Sequence, residues 1–151
     1  MEIRQGAISD IKSWMDLVDK VKDIFPGLET KEAMDAHRSV VLEFISRGEA
    51  LCAEVDGKIA GVLLFSKEWN KICFLAVDSE YRRQHIAYKL VSKMYSYLNP
   101  LKDITLETHV EAVPHGVAAR EFYKKLGFIE GEIKEEFGSL VQEFVLPKSE
   151  F

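Results

Sequence analysis

An apolar run followed at once by a short basic turn restricts the fold of this chain more than any other feature. Residues 72–77 are Ile-Cys-Phe-Leu-Ala-Val, apolar at every position, which predicts a strand buried on both faces. The next residues carry Arg82 and Arg83, and an amphipathic helix pattern begins directly after them. Backbone N–H groups at a helix N-terminus lack intrahelical partners, and the helix dipole favours negative charge there. This order predicts a site for an anion such as a pyrophosphate.

Hydrophobic periodicity elsewhere predicts the element order β-α-α-β-β-β-α-β-α-β-β. Two local signals support it: Asp56-Gly57 lies between apolar runs and predicts a type I′ hairpin, and Thr30 is placed to cap the second helix. Such an order indicates an α/β (α+β) fold, with a mixed, mostly antiparallel central sheet of about six to seven strands and helices on both faces. We expect residues 1–147 to form one domain and residues 148–151 a C-terminal tail.

Composition narrows the classes of function. The chain has 151 residues, and its net charge of −5 disfavours nucleic acid as a partner, which normally requires a basic surface. No apolar run is long enough to span a membrane, and Met1–Gln5 lacks the apolar core of a signal peptide, so we expect a cytoplasmic protein. Cys52 and Cys73 lie in apolar strand patterns, which predicts two buried free thiols. No residues show metal-ligand spacing, and no metal is expected.

Two motifs together resemble those of the GNAT-type N-acetyltransferases. That family carries a strand, then Val-x-Pro-x-x-Arg-Gly-x-Gly-x-Gly/Ala, then a helix; residues 77–87 agree with it at Val77, Arg82, Ile86 and Ala87. The family also carries a short helix ending in Phe/Leu-Tyr-x-x-x-Gly-Phe, which residues 119–128 match.

The first motif departs from the family pattern at three positions. Ser79 replaces the usual proline, and Arg83 replaces the common first glycine. His85 replaces the second glycine and is compatible with the phosphate site only at negative φ, because glycine lets backbone approach a phosphate closely. In the second motif, Gly116 replaces an asparagine often found three residues before Ala119.

The resemblance implies that acetyl-CoA is the acetyl donor. It places the pantetheine arm along the backbone of Leu75 and Val77, like an added strand, and the oxyanion donor at a bulge near Leu75 or Ala76. It places the pyrophosphate on the backbone N–H groups of Arg83, Gln84, His85, Ile86, Ala87 and Tyr88, with charge added by Arg82 or Arg83.

The resemblance also implies that Tyr123 is the general acid for the departing CoA thiolate; the alternative is a core tyrosine with its hydroxyl at the rim. The acceptor must lose a proton, and Glu107 and His109 lie two residues apart on one face of their strand. Either is a candidate base, directly or through water. The alternatives are an exposed strand carboxylate for Glu107 and a partly buried, hydrogen-bonded imidazole for His109.

The expected function is therefore direct acetyl transfer from acetyl-CoA to a primary amine in a ternary complex. A non-catalytic acyl-CoA-binding sensor or regulatory module is the alternative, because His85 and Gly116 depart from the family motifs. A homodimer is common in the family that the chain resembles. The sequence does not identify the acceptor amine.

Overall fold

The computed structural model describes residues 1–25, 27–81, 84–136 and 138–148. The strands are β1 (Glu2–Gln5), β2 (Ala50–Val55), β3 (Lys58–Ser66), β4 (Lys71–Val77), β5 (Ile104–His109), β6 (Ile129–Glu136) and β7 (Ser139–Leu146). The helices are α1 (Ile11–Val21), α2 (Lys31–Ser46), α3 (Ile86–Tyr95) and α4 (Val117–Lys125). Short 3₁₀ turns lie at Ile8–Asp10, Lys22–Ile24, Ser79–Tyr81 and Pro114–Gly116.

The seven strands form one sheet in the order β1-β2-β3-β4-β5-β7-β6. Neighbouring strands are antiparallel except β4 and β5, which are parallel. The α+β fold with a mostly antiparallel sheet is thus confirmed. A parallel pair needs a long crossover, and α3 supplies it.

Two hydrophobic cores lie on opposite faces of the sheet, because successive strand side chains point to opposite faces. On β2, Cys52 belongs to the core that contains Trp14 of α1 and Val41 of α2. Its neighbour Leu51 belongs to the other core, which contains Leu90 of α3. The helices therefore cover both faces, as predicted.

Local signals predict the turns correctly. Asp56 and Gly57 have φ of 51° and 77°, the left-handed pair that a type I′ hairpin requires. The Thr30 Oγ1 accepts a hydrogen bond of 3.0 Å from the Ala33 N–H and caps α2.

The prediction of two buried thiols is correct for Cys52 and wrong for Cys73, which is exposed. Leu64 of β3 pairs with Phe74 of β4, whereas Phe65 pairs with Ile72, so Cys73 is an extra residue on β4. This β-bulge interrupts the regular alternation of faces along β4, so a residue inside an apolar strand is nevertheless exposed. The expected bulge near Leu75 or Ala76 is therefore displaced upstream to Cys73.

Candidate active site

A cleft between the two parallel strands of the sheet holds a large cavity. In the described chain, β4 and β5 share a single register pair, Lys71 with Thr105, and beyond it they diverge. The bulge at Cys73 lies where divergence begins, and bulges increase the local bend and twist of a strand. The resulting cavity has a volume of about 810 Å³ and is lined by residues 71–77 of β4 and residues 106–109 of β5.

A buried asparagine fixes the closed end of this cleft. The Asn70 Nδ2 donates hydrogen bonds to the carbonyls of Asn99, Lys102 and Asp103 at 3.1 to 3.3 Å. The Asn70 Oδ1 accepts one of 2.8 Å from the N–H of Asn99. Asn70 itself has φ of 51°. The connection that leads into β5 is therefore fastened to the start of β4, and the strands separate only after that point.

The β5-facing edge of β4 offers free backbone groups at Leu75 and Val77. The N–H of Asp78 donates to the carbonyl of Ala60 on the β3 side at 2.8 Å. Backbone groups that bond to one neighbouring strand alternate along a strand, so those of Leu75 and Val77 point to the opposite edge, into the cleft. An extended ligand lying there would meet the donors and acceptors of an unpaired strand.

Beyond Val77, α3 begins with unusual backbone geometry. His85 has φ of 57° and ψ of 31°, so the expectation of a negative φ is wrong. The backbone adopts the left-handed conformation that glycine favours, and this conformation is strained for histidine because of its Cβ. α3 packs closely on β3, because a Cβ added to Gly61 would lie 2.6 Å from Cγ2 of Ile86.

Among the described residues, the expected phosphate-binding positions 84–88 do not line the cavity. Gln84, His85 and Tyr88 are exposed, Ala87 is half-buried, and the Ile86 side chain lies in the core. Arg82 and Arg83, predicted to add charge, lie outside the described residues. Leu75, Ala76, Val77, Glu107, His109 and Tyr123 line the one cavity together.

Tyr123 of α4 is buried with its ring among other aromatic rings, at 5.8 Å from Phe128 and 6.3 Å from Phe144 between centroids. Burial raises the pKa of its hydroxyl, so the phenol stays protonated at neutral pH. No described residue hydrogen-bonds this hydroxyl, although Tyr123 lines the cavity. The Tyr123 ring is thus buried like that of a core tyrosine, and the residue also lines the cavity. Its role as general acid stays a prediction.

Glu107 of β5 belongs to a charged cluster in the cavity. Its Oε1 lies 2.9 Å from Nζ of Lys71 and 4.0 Å from Nζ of Lys134. Its carboxyl also hydrogen-bonds that of Glu136, which lowers the pKa of Glu107, and the contact with Lys71 lowers it further. The same hydrogen bond, helped by burial, raises the pKa of Glu136. When the pair takes up a proton, Glu136 is therefore the carboxyl that binds it first.

Glu136 is a site residue that the sequence analysis missed. It ends β6, whereas Glu107 lies on β5, and β7 separates these strands in the sheet. Glu107 is opposite Glu143 of β7 and Glu136 is opposite Ser139, so the two carboxyls meet through tertiary packing and not through direct strand pairing. An acidic strand, with Glu at four of its eight positions, is the only local signal, and it does not single out Glu136.

His109 connects the cavity wall to the segment after α1. Its Nε2 lies 2.6 Å from the carbonyl oxygen of Ile24, so this nitrogen is the donor. Its backbone carbonyl accepts a hydrogen bond of 2.8 Å from Nη1 of Arg120. A Cβ added to Gly116 would lie 2.5 Å from the Cβ of His109, so the glycine lets the histidine pack against α4's start. The arrangement makes His109 a structural tie between β5 and Ile24.

Two negative findings concern the described residues. They include no cluster of three histidine, cysteine, aspartate or glutamate side chains arranged to hold a metal ion. Their helices include none with the length and apolar character needed to cross a membrane.

Fold and cleft together define a protein that can hold an extended ligand between two strands, beside a protonated phenol and a carboxyl pair. The family model of the acetyltransferase (GNAT) family matches residues 14–128. The chain belongs to this family. No curated protein matches the sequence well enough to count as a relative.

Solved structures resemble the whole chain. An N-acetyltransferase from Staphylococcus aureus Mu50 has 20% identity and a TM-score of 0.75, with 96% of this chain and 100% of that chain covered. The ribosomal-protein-alanine N-acetyltransferase from Brucella melitensis has 14% identity and a TM-score of 0.76, with 97% and 99% covered. The PaiA N-acetyltransferase from Thermoplasma acidophilum, in complex with coenzyme A, has 18% identity and a TM-score of 0.69, with 94% and 96% covered. At these identities the likeness concerns the fold.

Proposed function

We propose that this protein is an acetyl-CoA-dependent N-acetyltransferase that acetylates a primary amine directly, in a ternary complex. Membership of the acetyltransferase family supports the proposal, as does a similar fold solved with coenzyme A. The observation that carries it is the cleft in which the free backbone edge of Leu75 and Val77 shares one cavity with Tyr123. A cytoplasmic location and a homodimer stay predictions.

In this proposal the pantetheine arm adds to the open edge of β4 as an extra strand would. The carbonyl of Leu75 and the N–H of Val77 are the kind of partners that its amide groups require. The backbone of Ala76 belongs to the same segment. The pyrophosphate would lie beyond Val77, on the N–H groups from Arg83 to Tyr88, with Arg82 or Arg83 adding charge.

Tyr123 is proposed as the general acid. When the amine attacks the thioester carbonyl, a C–N bond forms and the C–S bond breaks, which leaves CoA as a thiolate. A phenol held protonated by burial can give this thiolate its proton. The aromatic packing of Tyr123 fixes the position from which the hydroxyl acts.

Glu107 is proposed as the base, acting as one unit with Glu136. A lysine-like amine of pKa about 10.4 needs roughly 4.6 kcal/mol to lose its proton at pH 7. Once both carboxyls are ionised, the pair can take a proton from the acceptor, because two adjacent carboxylates favour sharing one. The ring Nε2 of His109 already donates to Ile24, so we assign His109 a positioning role.

Binding and turnover of acetyl-CoA test the proposal separately. Calorimetry with the purified full chain should show one acetyl-CoA per chain, and thiol detection should show CoA release that depends on an amine. Absence of binding at millimolar acetyl-CoA would refute the proposal. Binding without turnover on any amine would instead support the acyl-CoA-binding module.

A further inference from the structure

The cavity continues past the reacting groups into a half that is apolar and aromatic. This acceptor half lies under the connection between α1 and α2 and is lined by Ile24, Phe25, His37, Val40, Phe44 and Phe74. Phe74 of β4 lies between two other rings, with centroids 4.4 Å from Phe25 and 4.7 Å from His37. Tilted rings packed in this way offer apolar surface to a ligand.

His37 adds no charge to this wall. Burial lowers the pKa of its imidazole, so the ring is neutral at pH 7. Its Nε2 is buried without a hydrogen-bond partner among the described residues. Among the described residues, the acceptor half therefore presents apolar surface and one uncharged ring, and no charged side chain.

The charged side chains that line the cavity are already paired with one another. Among the described lining residues, the carboxylates are Glu107 and Glu136 and the lysine is Lys71. Lys71 contacts Glu107 at 2.9 Å, and the carboxyl of Glu107 also lies against that of Glu136. The pair can receive one proton from one amine, but it leaves no carboxylate for a second ammonium and no lysine for an acceptor carboxylate.

The size of the cavity indicates a small molecule. Its volume of about 810 Å³ must also take the thioester end of the donor. Sites of roughly 300–1,000 Å³ are the usual range for small ligands. A compact acceptor would fill the remaining space and cover the aromatic wall.

We infer that the acceptor is a small primary monoamine on an aromatic or alkyl body, whose apolar part packs on Phe25 and Phe74 while its nitrogen faces Glu107 and Glu136. This inference rests on the proposed acetyltransferase function and specifies its substrate class. Diamines, amino acids and peptides are disfavoured acceptors, the first two because their second charge finds no partner among the described groups.

Four matched amines test the inference: 2-phenylethylamine, ethylamine, phenylalanine and 1,4-diaminobutane. Ethylamine lacks the apolar body, phenylalanine adds a carboxylate to it, and diaminobutane adds a second ammonium. We expect kcat/KM for 2-phenylethylamine to exceed each of the others by at least tenfold. A higher kcat/KM for the amino acid, the diamine or a peptide with N-terminal phenylalanine would overturn the inference.

Phe25 variants test the wall itself. Phe25→Ala should lower kcat/KM for 2-phenylethylamine about tenfold, mostly through KM, and should lower kcat/KM for ethylamine less, because ethylamine has no apolar body to lose contact with the wall. Phe25→Leu keeps most of the apolar volume, and its kcat/KM for 2-phenylethylamine should lie between those of wild type and Phe25→Ala. Equal losses for both amines would contradict a role in recognising the apolar body.

Calorimetry separates failure of this inference from failure of the proposed function. If acetyl-CoA does not bind, both fall. If it binds and another amine class is acetylated better, only the substrate class is wrong. If no amine turns over, 2-phenylethylamine is titrated into the protein saturated with CoA. Tighter binding than that of diaminobutane supports the inference, and equal or weaker binding overturns it.

Discussion

At the scale of single residues, the Tyr123 hydroxyl is the group whose loss should affect chemistry and little else. Tyr123→Phe keeps the ring that packs on Phe128 and Phe144 and removes a hydroxyl that has no described hydrogen-bond partner. We expect kcat to fall about 10²-fold, the lower range for loss of a general acid. Acetyl-CoA affinity and the urea midpoint should stay nearly unchanged. Tyr97→Phe, at a tyrosine packed on Phe65, is the control and should keep full turnover.

The carboxyl pair predicts a shifted pH profile. The Glu107 pKa is lowered and the Glu136 pKa is raised by their shared hydrogen bond. Glu136→Gln keeps a donor to Glu107 but removes the group of higher pKa. The acidic limb of kcat/KM should therefore move to lower pH, and the plateau should fall, because the remaining base is weaker. Glu135→Gln, at the preceding exposed position of β6, should leave the profile unchanged. An unaltered limb in Glu136→Gln would assign the proton to another group.

At the scale of elements, the turn from β4 into α3 predicts that the protein differs in stability when glycine or alanine replaces His85. His85 is in the left-handed region, which costs a residue with a Cβ about 1–2 kcal/mol. Glycine avoids that strain but loses about 0.5–1 kcal/mol of additional backbone entropy on folding. Urea unfolding should show His85→Gly to be about 0.5–1.5 kcal/mol more stable than His85→Ala. Both variants lack the imidazole, so equal stability would mean that the turn is not strained by its Cβ.

Elements set by neighbouring residues could be predicted from the sequence. The hairpin at Asp56-Gly57 and the cap at Thr30 depend on a few adjacent positions, and both predictions are confirmed. The exposure of Cys73 and the left-handed His85 could not be predicted, because a bulge and a turn conformation depend on how β3 and α3 pack. The same reason applies to Glu136, which meets Glu107 through tertiary packing although the two residues have different register partners on β7. From the sequence we could therefore name residues 75–77 on the donor side of the cleft and Glu107, one member of its carboxyl pair.

At the scale of the whole molecule, an ionic network joins β1, β2 and the start of α1. The Asp10 carboxylate contacts Arg4 through both oxygens, at 2.8 and 2.9 Å, and accepts a hydrogen bond of 2.7 Å from the Ala7 N–H. Arg4 also contacts Glu54 at 2.6 Å. Hydrogen bonds to charged groups contribute about 1.5–3 kcal/mol, so this network stabilises the fold.

The network predicts how stability depends on pH. The hydrogen bond from Arg4 lowers the pKa of Asp10 below its ordinary 3.8, so the folded state binds its proton less readily than the unfolded chain. This contribution is complete above the ordinary value and is lost as pH falls through the lowered one. The pKa shifts of Glu107 and Glu136 have opposite directions, so they change stability with pH in opposite senses.

Urea unfolding at pH 7, 5, 4 and 3 tests this dependence. Asp10→Asn should be about 1.5–3 kcal/mol less stable than wild type at pH 7, and the difference should shrink steadily below pH 4, because protonated aspartate and asparagine both lack the charge. Asp16→Asn is the control, since its carboxylate is 64% exposed and pairs with Lys12 within one helix. It should follow the wild-type curve. A constant gap between Asp10→Asn and wild type at every pH would mean that the Asp10 charge contributes nothing, and that packing or the neutral hydrogen bonds explain the loss.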